Sequence, residues 1–146
     1  MEKSITVLEH IKEQFQCEEV DVHTYSPLTL AYIGDCVFDL VVRSVIVLRG
    51  NRGVNGLHKS TTHIVKAETQ ARMIEAMRED LTEDELSVYK RGRNAKSHSS
   101  AKNASLGDYR KATGYEALIG YLYLTNQLER AVSLIKLGLE KVEMEI

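Results

Sequence analysis

Two carboxylates stand in segments that otherwise read as buried apolar helix. Leu28–Leu48 carries three charges in 21 residues, Asp35, Asp39 and Arg43. Ala112–Thr125 carries one charge in fourteen residues, Glu116. A carboxylate withdrawn from water must find a cation, hydrogen-bond donors or a metal ion, or remain protonated. Asp39 and Arg43 are four residues apart and can pair along one helix face. Asp35 has Ala31 one turn before it and a second acid, Asp39, one turn after it. Two carboxylates without a cation between them suit a hard divalent ion, Mg²⁺ or Mn²⁺. Salt bridges to lysine or arginine are the competing structural explanation.

The charge distribution adds a second chemical feature. The chain of 146 residues has a net charge of −2, yet Lys90 to Lys111 holds seven basic residues and one acid, Asp108. That window is +6 and the remainder −8. A compact basic segment on an acidic body fits contact with a polyanion, while a merely solvated loop is the alternative. Other chemistries find little support. The histidines at 10, 23, 58, 63 and 98 form neither HExxH nor a zinc pattern with Cys17 and Cys36. Ser97, Ser99 and Ser100 lie near His98, but adjacency in sequence does not make a triad. The two cysteines read as reduced thiols. The acidic start MEKSITVLEH has no apolar signal core, so a cytoplasmic location is expected.

The elements that must position these groups read as helices throughout, an all-α fold with no alternating strand pattern. Ile5, Leu8, Ile11 and Phe15 follow helical spacing, with Ser4 as N-cap. Residues 1–24 are expected to form an N-terminal helix and linker, and residues 25–146 one globular unit. Ser26–Pro27 is a helix start, and the helix should run to Gly50. Its acids and length argue against a membrane span. A helix or helix pair covers Val54–Arg78, with Ile64, Ala67, Ala71, Ile74 and Met77 as its apolar face. Thr82 and Glu85 form a capping box opening a helix over Glu83–Arg91. Gly92–Gly107 reads as a loop, followed by helices from Asp108 to Thr125 and from Leu128 to about Val142. Gly34 adjoins Asp35, and Gly114 and Gly120 flank Glu116. Glycine inside a helix costs about 1 kcal/mol relative to alanine and is tolerated where backbones approach closely. Helices crossing at these glycines would bring Asp35 and Glu116 together.

The strings AYIGDCVFDL (31–40), RGRNAKS (91–97) and YEALIGYLYL (115–124) resemble, in order and spacing, the catalytic domain of ribonuclease III. The resemblance covers roughly Leu28 to Leu137. It is closer to the Mini-ribonuclease III branch, short bacterial forms without the double-stranded-RNA-binding domain. It implies a helical endonuclease domain that forms a homodimer, with an acidic metal site at the end of a valley for duplex RNA. Asp35 matches the signature aspartate and Glu116 the glutamate of the second motif, as catalytic and metal-binding residues. Ala31 and Thr113 stand where the longer enzymes carry two further acids, a difference shared with the short branch. With fewer direct ligands, water should fill more of the shell, which suits Mg²⁺, with Mn²⁺ as a substitute.

On this resemblance the expected activity is an endoribonuclease, hydrolysing phosphodiesters to leave 5′-phosphate and 3′-hydroxyl ends. Duplex RNA is read by shape, phosphate and 2′-hydroxyl. The expected RNA contacts are Arg91, Arg93, Asn94, Lys96, Ser97 and Lys102, in a basic segment that would substitute for the missing domain. The family's usual task implies maturation of the paired ends of the large-subunit (23S) ribosomal RNA precursor, with a ribosomal protein as a further partner on that substrate. The alternative is a non-catalytic RNA-binding or ribosome-assembly module on the same fold, supported by the absent acids at 31 and 113.

Overall fold

A computed structural model describes residues 5–96 and 105–146. Among them are seven α-helices, two 3₁₀ turns and no strand. The helices are α1 (Val7–Phe15), α2 (Pro27–Arg49), α3 (Val54–Val65), α4 (Ala67–Met77), α5 (Glu83–Asn94), α6 (Leu106–Leu124) and α7 (Leu128–Lys141). None is long and apolar enough to cross a membrane among the described residues.

The central element is α6. It is apolar nearly all round, and such a helix must be buried on every side. Ten of its residues, from Ala112 to Leu122, are buried, and α2, α5, α4 and α7 all pack against it. The core is completed by Leu30, Phe38, Val42 and Ile46 of α2, Met73, Ile74 and Met77 of α4, and Leu134 and Ile135 of α7.

Local chemistry sets the boundaries. Ser26 caps α2 by accepting from the Thr29 N–H, Pro27 occupies the first turn, and Gly50 ends the helix. The Thr82–Glu85 capping box is complete on both sides. The Val54–Arg78 region resolves into α3, α4 and a 3₁₀ turn at Arg78–Asp80.

Four expectations need correction. Thr6, not Ser4, caps α1 through the Glu9 N–H; Ser4 lies outside the described residues. Of the apolar stripe expected on α1 only Leu8 is buried, while Ile5, Ile11 and Phe15 are exposed. The linker after α1 contains a 3₁₀ turn at Val22–Thr24, capped by Asp21. The supposed loop from Gly92 is still helix through Asn94, and α6 begins at Leu106 on the Ser105 cap rather than at Asp108. Gly92 is retained in a helix for packing: a Cβ there would stand 2.8 Å from the Gly114 Cα on α6.

Candidate functional site

The crossing of α2 and α6 is built on glycine. A Cβ added to Gly34 would collide with the Glu116 carbonyl, and one on Gly120 with the Leu30 carbonyl. The two backbones therefore touch at the level of Asp35 and Glu116. Gly114 serves a different neighbour: its missing Cβ admits the Tyr89 carbonyl and ring from α5.

This crossing holds the two acids side by side. Burial, then the hydrogen bond and charge of Asp35, push the Glu116 carboxyl up to about 9; the Gln70 amide on α4 acts in the opposite direction. Among the described residues no lysine or arginine pairs with either acid: Arg43 is taken by Asp39 at 2.9 Å, and Lys111 and Arg78 by Glu75. Asp35 is exposed and Glu116 half-buried, so the acids face water at one edge of the core. This corrects the expectation of two buried acids. The outward position of Asp35 follows from α2 presenting Tyr32, Cys36 and Asp39 on the same side.

The acids line a cleft of about 480 Å³ with Leu28, Ala31, Tyr32, Ile33, Cys36, Tyr109 and Thr113. Ala31 and Thr113 thus stand at the same cleft as Asp35 and Glu116. Their small side chains contribute no carboxylate, and the Thr113 hydroxyl donates to the Tyr109 carbonyl at 3.0 Å. Among the described residues no group of three or more histidine, cysteine or acidic side chains could hold a metal ion. Two carboxylates with no lysine or arginine paired to them among the described residues, beside a cleft with room for water, are groups that could hold a hard divalent ion.

The basic residues divide. Lys90, Arg91 and Asn94 line a shallow groove of about 750 Å³ at the Pro27 end of α2, and Lys96 is exposed just beyond it. Arg91 also reaches the Tyr25 carbonyl at 3.5 Å. Arg93 is half-buried, with its guanidinium 5.6 Å from the centre of the Tyr89 ring, and it bonds Asn94 at 3.3 Å. Lys111 pairs with Glu75. Ser97 and Lys102 lie outside the described residues, as do His98, Ser99 and Ser100.

Sequence reasoning did not single out Gln70 or Tyr109. Tyr109 sits one turn before Thr113 at the mouth of the cleft. Gln70 was detectable as an amide on the apolar face of α4, between Ala67 and Ile74.

Comparison with known proteins gives a consistent picture. The ribonuclease III domain matches residues 28–127. A Mini-ribonuclease 3 of Clostridium tetani is 48% identical over 124 residues, covering 84% of this chain and 82% of that protein. One from Enterococcus faecalis is also 48% identical over 124 residues, covering 84% and 94%. A crystal structure of a Fusobacterium nucleatum protein superposes with a TM-score of 0.75 at 28% identity, covering 84% of this chain and 98% of that one.

Proposed function

This chain belongs to the ribonuclease III family, in its Mini-ribonuclease 3 branch, and we propose that Asp35 and Glu116 form its catalytic metal site. The activity is that of an endoribonuclease. The observation that carries the site assignment is the cation-free acid pair at the glycine crossing of α2 and α6. When bound there, Mg²⁺, or Mn²⁺ in its place, supplies Lewis acidity that activates water and neutralises phosphate charge. Asp35 and Glu116 provide the ligand oxygens. The α2–α6 contact fixes their spacing, and the open cleft leaves room for water and a phosphodiester. Hydrolysis then leaves a 5′-phosphate and a 3′-hydroxyl.

Lys90, Arg91, Asn94 and Lys96 hold the duplex backbone, and Ser97 and Lys102, outside the described residues, are assigned the same role from the sequence. Arg93 contributes mainly by anchoring the end of α5 on Tyr89. The natural substrate is the paired ends of the large-subunit (23S) ribosomal RNA precursor, with a ribosomal protein aiding presentation, in the cytoplasm.

The chain acts as a homodimer. Gly34 lies against α6 within the protomer and is closed to a partner. On α2, Leu40, Val47 and Leu48, away from the cleft, are 63%, 58% and 85% exposed, apolar side chains that a partner copy would cover. Sedimentation at micromolar concentration should give a species near twice 16.5 kDa.

The test is incubation of the purified protein with a long RNA duplex, with Mg²⁺ and then with EDTA. Cleavage that needs Mg²⁺ and yields 5′-phosphate ends supports the proposal. Duplex binding without cleavage in any divalent ion returns the protein to a non-catalytic RNA-binding role. Duplex affinity should also fall with salt, and Arg91→Ala with Lys96→Ala should lower the salt slope by about 2.

A further inference from the structure

Gln70 lies on the buried face of α4, among Ala71, Met73, Ile74 and Met77. It is 2% exposed, and its Nε2 makes no hydrogen bond. An amide in that position sacrifices stability that a methionine or leucine would retain, because a buried donor without an acceptor forfeits its hydration for nothing. The Tyr89 and Tyr115 hydroxyls share this condition, but each belongs to an aromatic ring whose burial explains its presence. Gln70 has no ring. What it has is a neighbour: α4 packs on α6, and the amide favours the charged form of the Glu116 carboxyl while its Nε2 completes no hydrogen bond.

We infer that Gln70 is a positioning residue for the acid pair, its amide orienting Glu116 to receive a divalent cation. This rests on the metal-site reading above. A carboxylate that gives one oxygen to a cation is held in place by a donor on the other, and such outer partners govern metal affinity. Asp35 is on the water side of Glu116, exposed, and Gln70 is on the core side, buried. Glu116 thus has a fellow acid on the exposed side of α2 and an N–H donor on the buried face of α4. The donor is idle while the acids hold no cation. Completing the bond in the cation-bound form stabilises that form over the free one, which is how an outer partner raises affinity.

The probe is Mn²⁺ alone, titrated into the metal-free dimer and followed by the paramagnetic resonance of the free ion. The variants are Gln70→Met, which keeps length and removes the donor, Gln70→Asn, which withdraws the amide by one methylene, and Glu116→Gln as reference. Gln70→Met should melt at or above the wild-type temperature and bind Mn²⁺ roughly 10- to 100-fold more weakly. Gln70→Asn should fall between. Cleavage should recover towards the wild-type rate as Mn²⁺ is raised, with metal-free duplex binding unchanged. Wild-type Mn²⁺ affinity in Gln70→Met, while Glu116→Gln loses the ion, overturns the role of Gln70 and leaves the acid site standing. A melting temperature lowered in both Gln70 variants, with Mn²⁺ affinity kept in the one that folds, makes the amide structural and also overturns it. Wild-type affinity in Glu116→Gln removes the metal site and this inference together.

Discussion

Glu85 and Glu116 occupy neighbouring helices that pack on each other, α5 and α6, and their surroundings treat the same side chain in opposite ways. Glu85 is 4% exposed and fully partnered. Its two oxygens accept from Arg130 Nη2 and Nε, each at 2.9 Å, and Oε1 also accepts from the Thr82 N–H at 2.9 Å. Arg130 in turn bonds the Asp80 carbonyl at 3.0 Å, and Lys141 pairs with Asp80 at 2.8 Å. This ties α5, α7 and the turn before α5 into one junction. Glu116 has more access to water, yet it meets a second acid and an amide that does not close on it. A fold able to satisfy one carboxylate this completely leaves the other short of positive charge. Such concentrated electrostatic conflict is characteristic of sites kept for chemistry rather than stability.

The contrast breaks most sharply in activity. Asp35→Asn and Glu116→Gln should each lower Mg²⁺-dependent duplex cleavage by at least roughly 10³-fold, with melting temperature unchanged or raised, because Glu116→Gln removes the cost of keeping a carboxyl protonated and Asp35→Asn removes a charge that adds to that cost. Glu85→Gln should cleave at the wild-type rate wherever it remains folded. Cleavage that survives Asp35→Asn, or a large loss of its melting temperature, would make Asp35 another structural acid.

Stability should move the other way. Glu85→Ala strands the buried side of Arg130 and opens the capping box, and should cost about 3–5 kcal/mol in urea unfolding. Glu85→Gln keeps a capping side chain and should cost less. A loss below about 1 kcal/mol in Glu85→Ala would reduce this junction to an ordinary surface ion pair.

Local signals made much of this arrangement legible. Ser26–Pro27, Gly50 and the Thr82–Glu85 box act within a few residues, and the structure places them as read. Gly34 and Gly120 were informative because glycine in an apolar helix implies close approach, and they do mark the crossing. The same composition misled at Gly92–Asn94. There glycine and asparagine suggest a loop, but contact with Gly114 and the Arg93–Tyr89 stacking keep the helix intact. The partner of Glu85 could not be read at all. Arg130 lies 45 positions away, and nothing local in its helix announces which acid it will meet. Gln70 was hidden for a similar reason: its meaning depends on α6, not on α4.

The smallest expected effect lies in the pH dependence of stability, and it separates the two acids by sign. Glu85 is held below its ordinary 4.5, first by the Arg130 hydrogen bond and then by Thr82, against the opposing effect of burial. A folded pKa below the unfolded one gives stability that is present above the unfolded value and lost as pH falls through the folded value. Glu116 is raised from 4.5 to about 9, by burial first and Asp35 second. Here the folded protein binds the proton more tightly than the unfolded chain. Its contribution is present below about 4.5 and is lost as pH rises from there towards about 9. Water at the half-buried carboxylate keeps the slope shallow. Thermal melts of the metal-free protein, followed by helical circular dichroism, should therefore decline gently over that range, and Glu116→Gln should flatten the decline. Glu85→Gln should leave that limb alone and remove part of the acid-side loss. Added Mg²⁺ should raise the melting temperature of the wild type near pH 8 and not that of Glu116→Gln, since only the ionised pair offers ligands to the ion. Parallel profiles for wild type and Glu116→Gln, with or without Mg²⁺, would mean that Glu116 is as well accommodated as Glu85, and the contrast between the two sites would disappear.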